Sequence, residues 1–370
     1  MARRLESDRI LFGTTVILVF FGLLMVFSAS AVVAQQQYHS TYYFLIRQGM
    51  WAIVGLSMMV FIMKFDYRRL RNPRFVFPAL AVQLILLMAV YLTPSRHETH
   101  RWFYAGPISF QPSEFAKLVL VIFFAYFLDL RQGCVNDIRH TLLPLGLVTG
   151  ITVLLILREP DLGTSLAIAL ICAAMLFTAG MKVLYFAGVS ASAFPILYLV
   201  IVHVRYRLNR LIGFLHPSSD PLGKGFQVLQ SLTAVGTGGL AGVGLMEGKE
   251  KLYFLPEPQT DFIYAVISEE WGFIGAVAVL LLFAVLLWRG LRAAAYCHDE
   301  FGRLLAVGLT VLLVGQALVN ISVVTGLLPT KGIPLPFISY GGSSLVMNLI
   351  AVGILLNISQ RASGNPGLSQ

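Results

Sequence analysis

Long apolar runs alternate with short polar breaks along this chain. The runs cover roughly residues 10–33, 44–63, 75–92, 115–130, 141–157, 164–180, 183–202, 262–288, 304–328 and 343–358. A helix rises about 1.5 Å per residue and the hydrocarbon core is about 30 Å thick, so the pattern predicts about ten transmembrane helices. An even number puts both termini on one side. The expected fold class is an all-α polytopic membrane protein. It would form a single integral membrane domain, 1–370, with one large loop, 203–261, between spans 7 and 8.

Composition supports that picture. Hydrophobic residues make up 57% and charged residues 12% of the chain, against about 25% charged in a soluble domain; mean hydropathy is +0.78. Orientation follows from Lys and Arg, because short basic loops stay cytoplasmic. With the N-terminus inside, the inside segments hold Arg3, Arg4, Arg9, Lys64, Arg68, Arg69, Arg71, Arg74, Arg131, Arg139, Lys182, Arg289, Arg292, Arg303 and Arg361. The short outside loops hold only Arg47, Arg96, Arg101, Arg158 and Lys331, so both termini are expected in the cytoplasm and the 203–261 loop outside. Most of the net charge of +9 then reflects membrane orientation, and no nucleic-acid module is present to suggest such a partner. The basic start and first apolar run resemble a signal peptide, but the run is too long and more spans follow, so it reads as an uncleaved first helix. Cys134 and Cys297 fall in inside loops and Cys172 within a span, without disulfide or metal spacing.

The break before the eighth span carries the most chemistry. Residues 252–272 read LYFLPEPQTDFIYAVISEEWG and place Glu257, Asp261, Glu269 and Glu270 at the edge of an apolar run. Pro256 and Pro258 prevent helix there, and Thr260 with Asp261 supply cap chemistry for a helix starting near Phe262. An ionised side chain at mid-bilayer costs at least about 2.5–3.5 kcal/mol, so 261–270 belongs in the headgroup layer or a wet cavity. Asp261 is either a helix cap or an acid at the depth of a lipid head.

Other breaks add candidates. The 93–113 loop carries Arg101 beside Trp102, Phe103 and Tyr104, before a Gly106-Pro107 turn; the aromatics suit an interfacial belt or a platform for a sugar ring. Glu114 and Lys117, three residues apart after a Gln111-Pro112-Ser113 helix start, share a face and can pair. In the short 158–165 connection Asp161 can cap the next helix, while Arg158 and Glu159 either pair or face the same wet cavity as Glu114 and Lys117. The long loop opens with Arg205, Arg207 and Arg210 among apolar residues, an interfacial composition suited to phosphate or to snorkelling. Its glycine-rich 236–248 stretch matches a dinucleotide fingerprint on paper, yet no strand–helix unit surrounds it. Residues 327–344, with Lys331 as their only charge, contain too much Pro and Gly for regular structure and predict a re-entrant segment packed on the long loop. The 64–74 turn is the most basic of the chain and reads first as an orientation anchor, second as an anionic-lipid site.

Five runs, RWFYAGPISFQPSEFAK, EPDLGTS, DPLGKGFQ, FLPEPQTDFIYAVISEEWG and LLPTKGIPLPFISYGGSS, resemble in order and spacing the SEDS family of bacterial cell-wall proteins, FtsW and RodA. The PTKG and SYGGSS wording is closer to the division branch, FtsW. The resemblance covers residues 10–358. It implies a peptidoglycan glycosyltransferase of the bacterial cytoplasmic membrane that polymerises lipid II on the outer face during cell division, releasing undecaprenyl diphosphate. Its partners would be a class B penicillin-binding protein transpeptidase and other divisome membrane proteins. The family's essential acid falls on Asp261, its loop tryptophan on Trp102 and its charged pair on Glu114 and Lys117. Supporting roles for Arg101, Glu159, Arg205, Arg210 and Lys331 are inferred from their chemistry. The charge on the leaving group calls for a cation, Arg210, Lys331 or a divalent ion, Mg or Mn, with no organic cofactor expected. The alternatives are an elongation-type polymerase, a lipid II flippase and a non-catalytic scaffold. The absence of a mid-membrane charge cluster and of a broken central helix speaks against the flippase.

Overall fold

Helix starts follow local chemistry. Asp8, Asn72, Asp161 and Asp299 stand at N-caps, each accepting a backbone N–H from the first turn of its helix, and Pro73 and Pro112 open theirs. The computed structural model describes residues 8–93, 101–105, 108–252 and 254–362. In chain order the helices are α1 Arg9–Tyr38, α2 Tyr43–Ile62, α3 Pro73–Ala89, α4 Pro112–Leu130, α5 Leu143–Arg158, α6 Leu162–Thr178, α7 Val183–Val202, α8 Arg205–Leu215, α9 Phe226–Thr237, α10 Ile263–Ala295, α11 Glu300–Val324 and α12 Gly342–Ala362. Every apolar run of the sequence is one of these helices. Among the described residues, α1, α2, α3, α5, α10, α11 and α12 are long and apolar enough to cross a membrane. The chain is an all-α multi-pass membrane protein. A short hairpin, β1 Phe103–Ala105 and β2 Ile108–Phe110, precedes α4; Gly106-Pro107 lies outside the described residues.

α11 and α12 form the middle of the bundle. α11 packs against α10, α4 and α6, and α12 against α2. At one end the basic turns are tied to acids: Arg289 to Asp8 (2.6 Å), Arg71 to Asp129 (2.6 Å), Arg361 to Asp66 (3.0 Å) and Arg68 to Asp299 (3.4 Å). This is the end that the charge count reads as cytoplasmic.

α10 is continuous only in outline. Gly272 adopts φ 64° and ψ −162°, open to glycine but not to other residues. The backbone groups freed by the break are satisfied by the glycine-rich stretch: Phe273 N donates to Gly239 O (2.8 Å), Ile274 N to Leu240 O (3.2 Å), Val243 N to Glu269 O (3.0 Å) and Gly244 N to Glu270 O (3.1 Å). A Cβ on Gly238 would stand 1.9 Å from Ser268 O, and one on Gly242 2.1 Å from Glu270 O. Those glycines are there so that two backbones can touch.

Two expectations are corrected here. Glu269 and Glu270 do not stand in headgroups or a wet cavity but are 3% and 2% exposed inside the protein. Glu269 Oε1 accepts Lys249 N (2.7 Å) and Glu250 N (3.2 Å). Glu270 accepts from Ser28 Oγ at 2.6 and 2.7 Å and from Lys251 Nζ. A central helix is therefore broken, with a buried ion pair beside the break. The expectation of an unbroken helix fails because the backbone groups that make the break tolerable come from a loop about 30 residues upstream.

The 327–341 segment re-enters the protein as the sequence predicts. Tyr340 N donates to Gln259 O (2.8 Å) and Ser339 Oγ to Thr260 O (2.6 Å). From α2, Gln48 donates to Ser339 O (3.1 Å) and accepts Gly341 N (3.2 Å). Irregular backbone at this depth is stable because protein groups, not lipid, cover it.

Candidate active site

Asp261 does not cap a helix. α10 begins at Ile263 with Phe262 in the cap position and no side-chain cap bond, so the simpler reading of this aspartate falls away. Its carboxylate makes no hydrogen bond among the described residues. The backbone beneath it is fixed instead: Asn320 Nδ2 on α11 donates to Asp261 O (2.8 Å) and to Ile333 O (2.7 Å), joining the pre-α10 turn to the re-entrant segment. Gly332 lies against the carboxylate so closely that a Cβ there would be 2.8 Å from Asp261 Oδ2.

Two cavities meet at this side chain. The larger, about 340 Å³, is lined by Arg101, Asp161, Arg207, Arg210, Asp261 and Lys331, with apolar walls from Leu162, Leu166, Leu211 and Leu328. The smaller, about 110 Å³, has Gln227, Glu257 and Phe262 on its far side and shares Arg210, Asp261, Lys331 and Gly332 with the larger. Four cations and two carboxylates thus surround the larger space.

The arginines are aimed by main-chain carbonyls. Arg101 donates to Glu159 O (2.7 Å) and Pro160 O (2.8 Å), Arg207 to Leu157 O (3.0 Å) and Arg210 to Thr330 O (3.2 Å). Asp161 caps α6 as expected, accepting Thr164 N (3.0 Å) and Thr164 Oγ1 (2.7 Å). Lys331 makes no side-chain hydrogen bond or ion pair among the described residues, and burial pushes its ammonium below the ordinary lysine value. Burial first, then the Glu257 carboxylate, push the Asp261 carboxyl up to about 7 against the opposing pull of Arg210.

Arg101, Arg210, Lys331 and Asp261, chosen from sequence, line one space. Glu159 reaches it through its carbonyl; its carboxyl is fully buried with neither oxygen hydrogen-bonded, and burial with Asp161 pushes it up to about 8. Arg158 is exposed and does not pair with it. Glu114 and Lys117 pair at 2.8 Å, both buried, and neither lines the two cavities. Lys117 Nζ donates to Gln316 Oε1 (2.6 Å), and Gln316 Nε2 to Pro334 O (2.9 Å), so the pair braces the re-entrant segment. Trp102, half-buried beside Arg101, is not among the residues lining either cavity. The side chain of Arg205 lies outside the described residues.

The model of the FtsW/RodA/SpoVE family, described as cell cycle proteins, matches residues 8–364. The chain belongs to this family. A "Probable peptidoglycan glycosyltransferase FtsW" of Geobacter metallireducens is 43% identical over 362 residues, covering 97% of this chain and 96% of that protein. The "Stage V sporulation protein E" of Bacillus subtilis is 42% identical over 363 residues, covering 97% and 98%. Among solved structures, a chain from "Structural coordination of polymerization and crosslinking by a peptidoglycan synthase complex" superposes with a TM-score of 0.80 at 30% identity, over 98% of this chain and 100% of that one. RodA of Thermus thermophilus superposes with a TM-score of 0.71 at 27% identity, over 98% and 99%.

In this family member sequence reasoning passed over Asn320, Gln316 and Gly332, and read Arg207 as suited to phosphate without placing it in the site. Arg207 was within reach, since it stands three residues before Arg210 and shares its helix face. The other three act through backbone contacts between distant segments, and no local pattern marks those.

Proposed function

We propose that this SEDS peptidoglycan glycosyltransferase joins two lipid II molecules at Asp261, on the outer face of the bacterial cytoplasmic membrane, as a division-type polymerase. The observation that carries the reading is that Asp261 is the shared wall of two cavities, one of them rich in cations. The larger holds the diphosphate of the donor among Arg101, Arg207, Arg210 and Lys331. The smaller admits the acceptor sugar. Asp261 takes the proton from the acceptor GlcNAc 4-hydroxyl as its oxygen attacks C1 of the donor MurNAc. The C1–O bond to phosphate breaks and its electron pair leaves on undecaprenyl diphosphate. A carboxyl shifted towards neutral pH is matched to such a proton transfer, and the cations stabilise the charge that develops on the leaving group. Diphosphate leaves without protonation, so no second acid of the glycosidase kind is required.

Glu257 on the smaller cavity is an oxygen donor of the type Mg or Mn takes, one carboxylate with the remainder from water and phosphate, which leaves Asp261 free as the base. Bound there, a divalent ion would neutralise diphosphate charge. Trp102 would stack on a sugar at the rim, and Glu114 with Lys117 would hold the re-entrant segment in register. A class B penicillin-binding protein transpeptidase is the proposed partner, among other division proteins. The flippase reading gains nothing from the break in α10, because the chain's own glycine-rich segment fills it.

The test uses the purified full chain, with and without its transpeptidase, and labelled lipid II. Polymer formation supports the reading; translocation without polymer supports the flippase. Asp261→Asn should abolish polymer while expression and partner binding persist. Substantial residual polymerisation by that variant ends the general-base assignment.

A further inference from the structure

A second large cavity, separate from the two at Asp261, opens at the basic end and runs along the helices as far as Phe115 on α4. It encloses about 400 Å³ between α2, α3, α4 and α12. α2 packs on α12 and α3 on α4, while α2 and α3 scarcely touch, which leaves a gap between them. Phe61, Phe65 and Phe75 stand at that gap, 54%, 42% and 45% exposed, and all three line the cavity. On α12 the lining runs from Met347 to Asn357, about 15 Å along the axis and about the depth of one hydrocarbon leaflet.

The walls are apolar almost throughout. Polar groups appear only at the basic rim, and most are already engaged. Asn357 accepts Tyr67 N (3.0 Å) and donates to Met63 O (2.9 Å), and Asp66 pairs with Arg361 at 3.0 Å. Arg69 is the exception: it lines the cavity, is exposed, and makes no ion pair among the described residues, its guanidinium resting over the Phe65 ring at 5.9 Å. Lys64 and Arg74 lie in the same turn. A single acyl chain fits such a slot; a polyprenyl tail is several times too long.

We propose that this cavity binds an anionic glycerophospholipid of the cytoplasmic leaflet, one acyl chain entering between α2 and α3 and the phosphate meeting Arg69 at the rim. Charge complementarity selects the headgroup, because the rim's acid is neutralised internally and its cation is not. The 64–74 turn is then a recognition element as well as an orientation anchor.

The experiment is native mass spectrometry of the full chain in detergent with equimolar phosphatidylglycerol and phosphatidylcholine. Wild type should retain phosphatidylglycerol in preference. Arg69→Gln should cut that preference about 5-fold, the contribution of one basic group at a membrane surface. Ala79→Phe, which fills the cavity, should lose both lipids, and Arg9→Gln, a charge change at the same end but on α1, should alter nothing. Arg69→Gln changes an exposed side chain and decides the matter even if Ala79→Phe does not fold. Equal retention of the two lipids, equal losses for Arg69→Gln and Arg9→Gln, or displacement of phosphatidylglycerol by equimolar undecaprenyl phosphate would each overturn the proposal.

Discussion

Glu269 and Glu270 have three of their four carboxylate oxygens hydrogen-bonded, to Lys249 N, Glu250 N, Ser28 and Lys251. Asp261, in the same short segment, has none of its two bonded among the described residues. The first pair holds a loop against a broken helix, and its desolvation is offset by the bonds it makes. The second carboxylate is positioned entirely through the backbone, by Asn320 on its carbonyl and by Gly332 beside it. Charges that build the fold are closed on themselves, and charges left for a ligand are held by their neighbours' main chain.

Exchanging the two kinds of variant tests that distinction most severely. Asp261→Asn is expected to lower polymerisation about 10²–10⁴-fold, the range of general acid–base contributions, with Tm unchanged or raised. Glu270→Gln leaves the Lys251 ammonium buried without its counter-charge, which should cost about 3–5 kcal/mol of stability, read as a large fall in Tm. If Glu270→Gln kept its Tm and lost polymerisation, the contrast between the two sites would be wrong.

Gly332→Ala sharpens the same contrast without touching a charge. The added methyl must move the Asp261 carboxylate, which it would meet at 2.8 Å. A displacement near 1 Å can cost about 10²-fold in rate. The expected result is a loss in kcat with little change in Tm; an unaffected rate would mean that Asp261 is not held in a fixed place.

The pH profile comes next in size. With its carboxyl pushed up to about 7, Asp261 is increasingly protonated below that pH and cannot accept a proton. Polymerisation should therefore rise about tenfold per pH unit on the acid side and level off above about 7. Single-turnover rates between pH 5 and 8.5 check this. A flat profile over that range places the base elsewhere.

The ten apolar helices were legible because an apolar run of this length has no other stable use in a bilayer, and the starts of α4 and α6 because Pro112 and Asp161 announce them. Asp261, Arg101, Arg210 and Lys331 were legible as charges in breaks too short or too close to the apolar runs to be ordinary loops. The break at Gly272 was not, since a lone glycine in an apolar stretch reads as tolerated helix. The glycines of 236–248 resembled a phosphate loop for the reason that makes them dock on α10: both uses require a backbone that another group can approach closely. Sequence shows that closeness is needed without showing what comes close.

Glu159 offers the smallest and most specific test. Its carboxyl is fully buried without a hydrogen bond, and burial together with Asp161 pushes it up to about 8, with Arg101 opposing. The folded chain therefore keeps a proton that the unfolded chain releases near its ordinary value of about 4.3. Stability from this group is fully present below that value and declines as pH rises towards about 8, where the buried charge must form. Glu159→Gln preserves shape and cannot ionise. The Tm difference between variant and wild type should be near zero or against the variant at pH 5, and should turn in its favour by a few degrees at pH 8. Taking the difference cancels the similar slope contributed by Asp261. A gap that stays constant with pH would mean that Glu159 is ionised in the folded protein, paired with a cation, and that Arg101 answers to its side chain as well as its carbonyl.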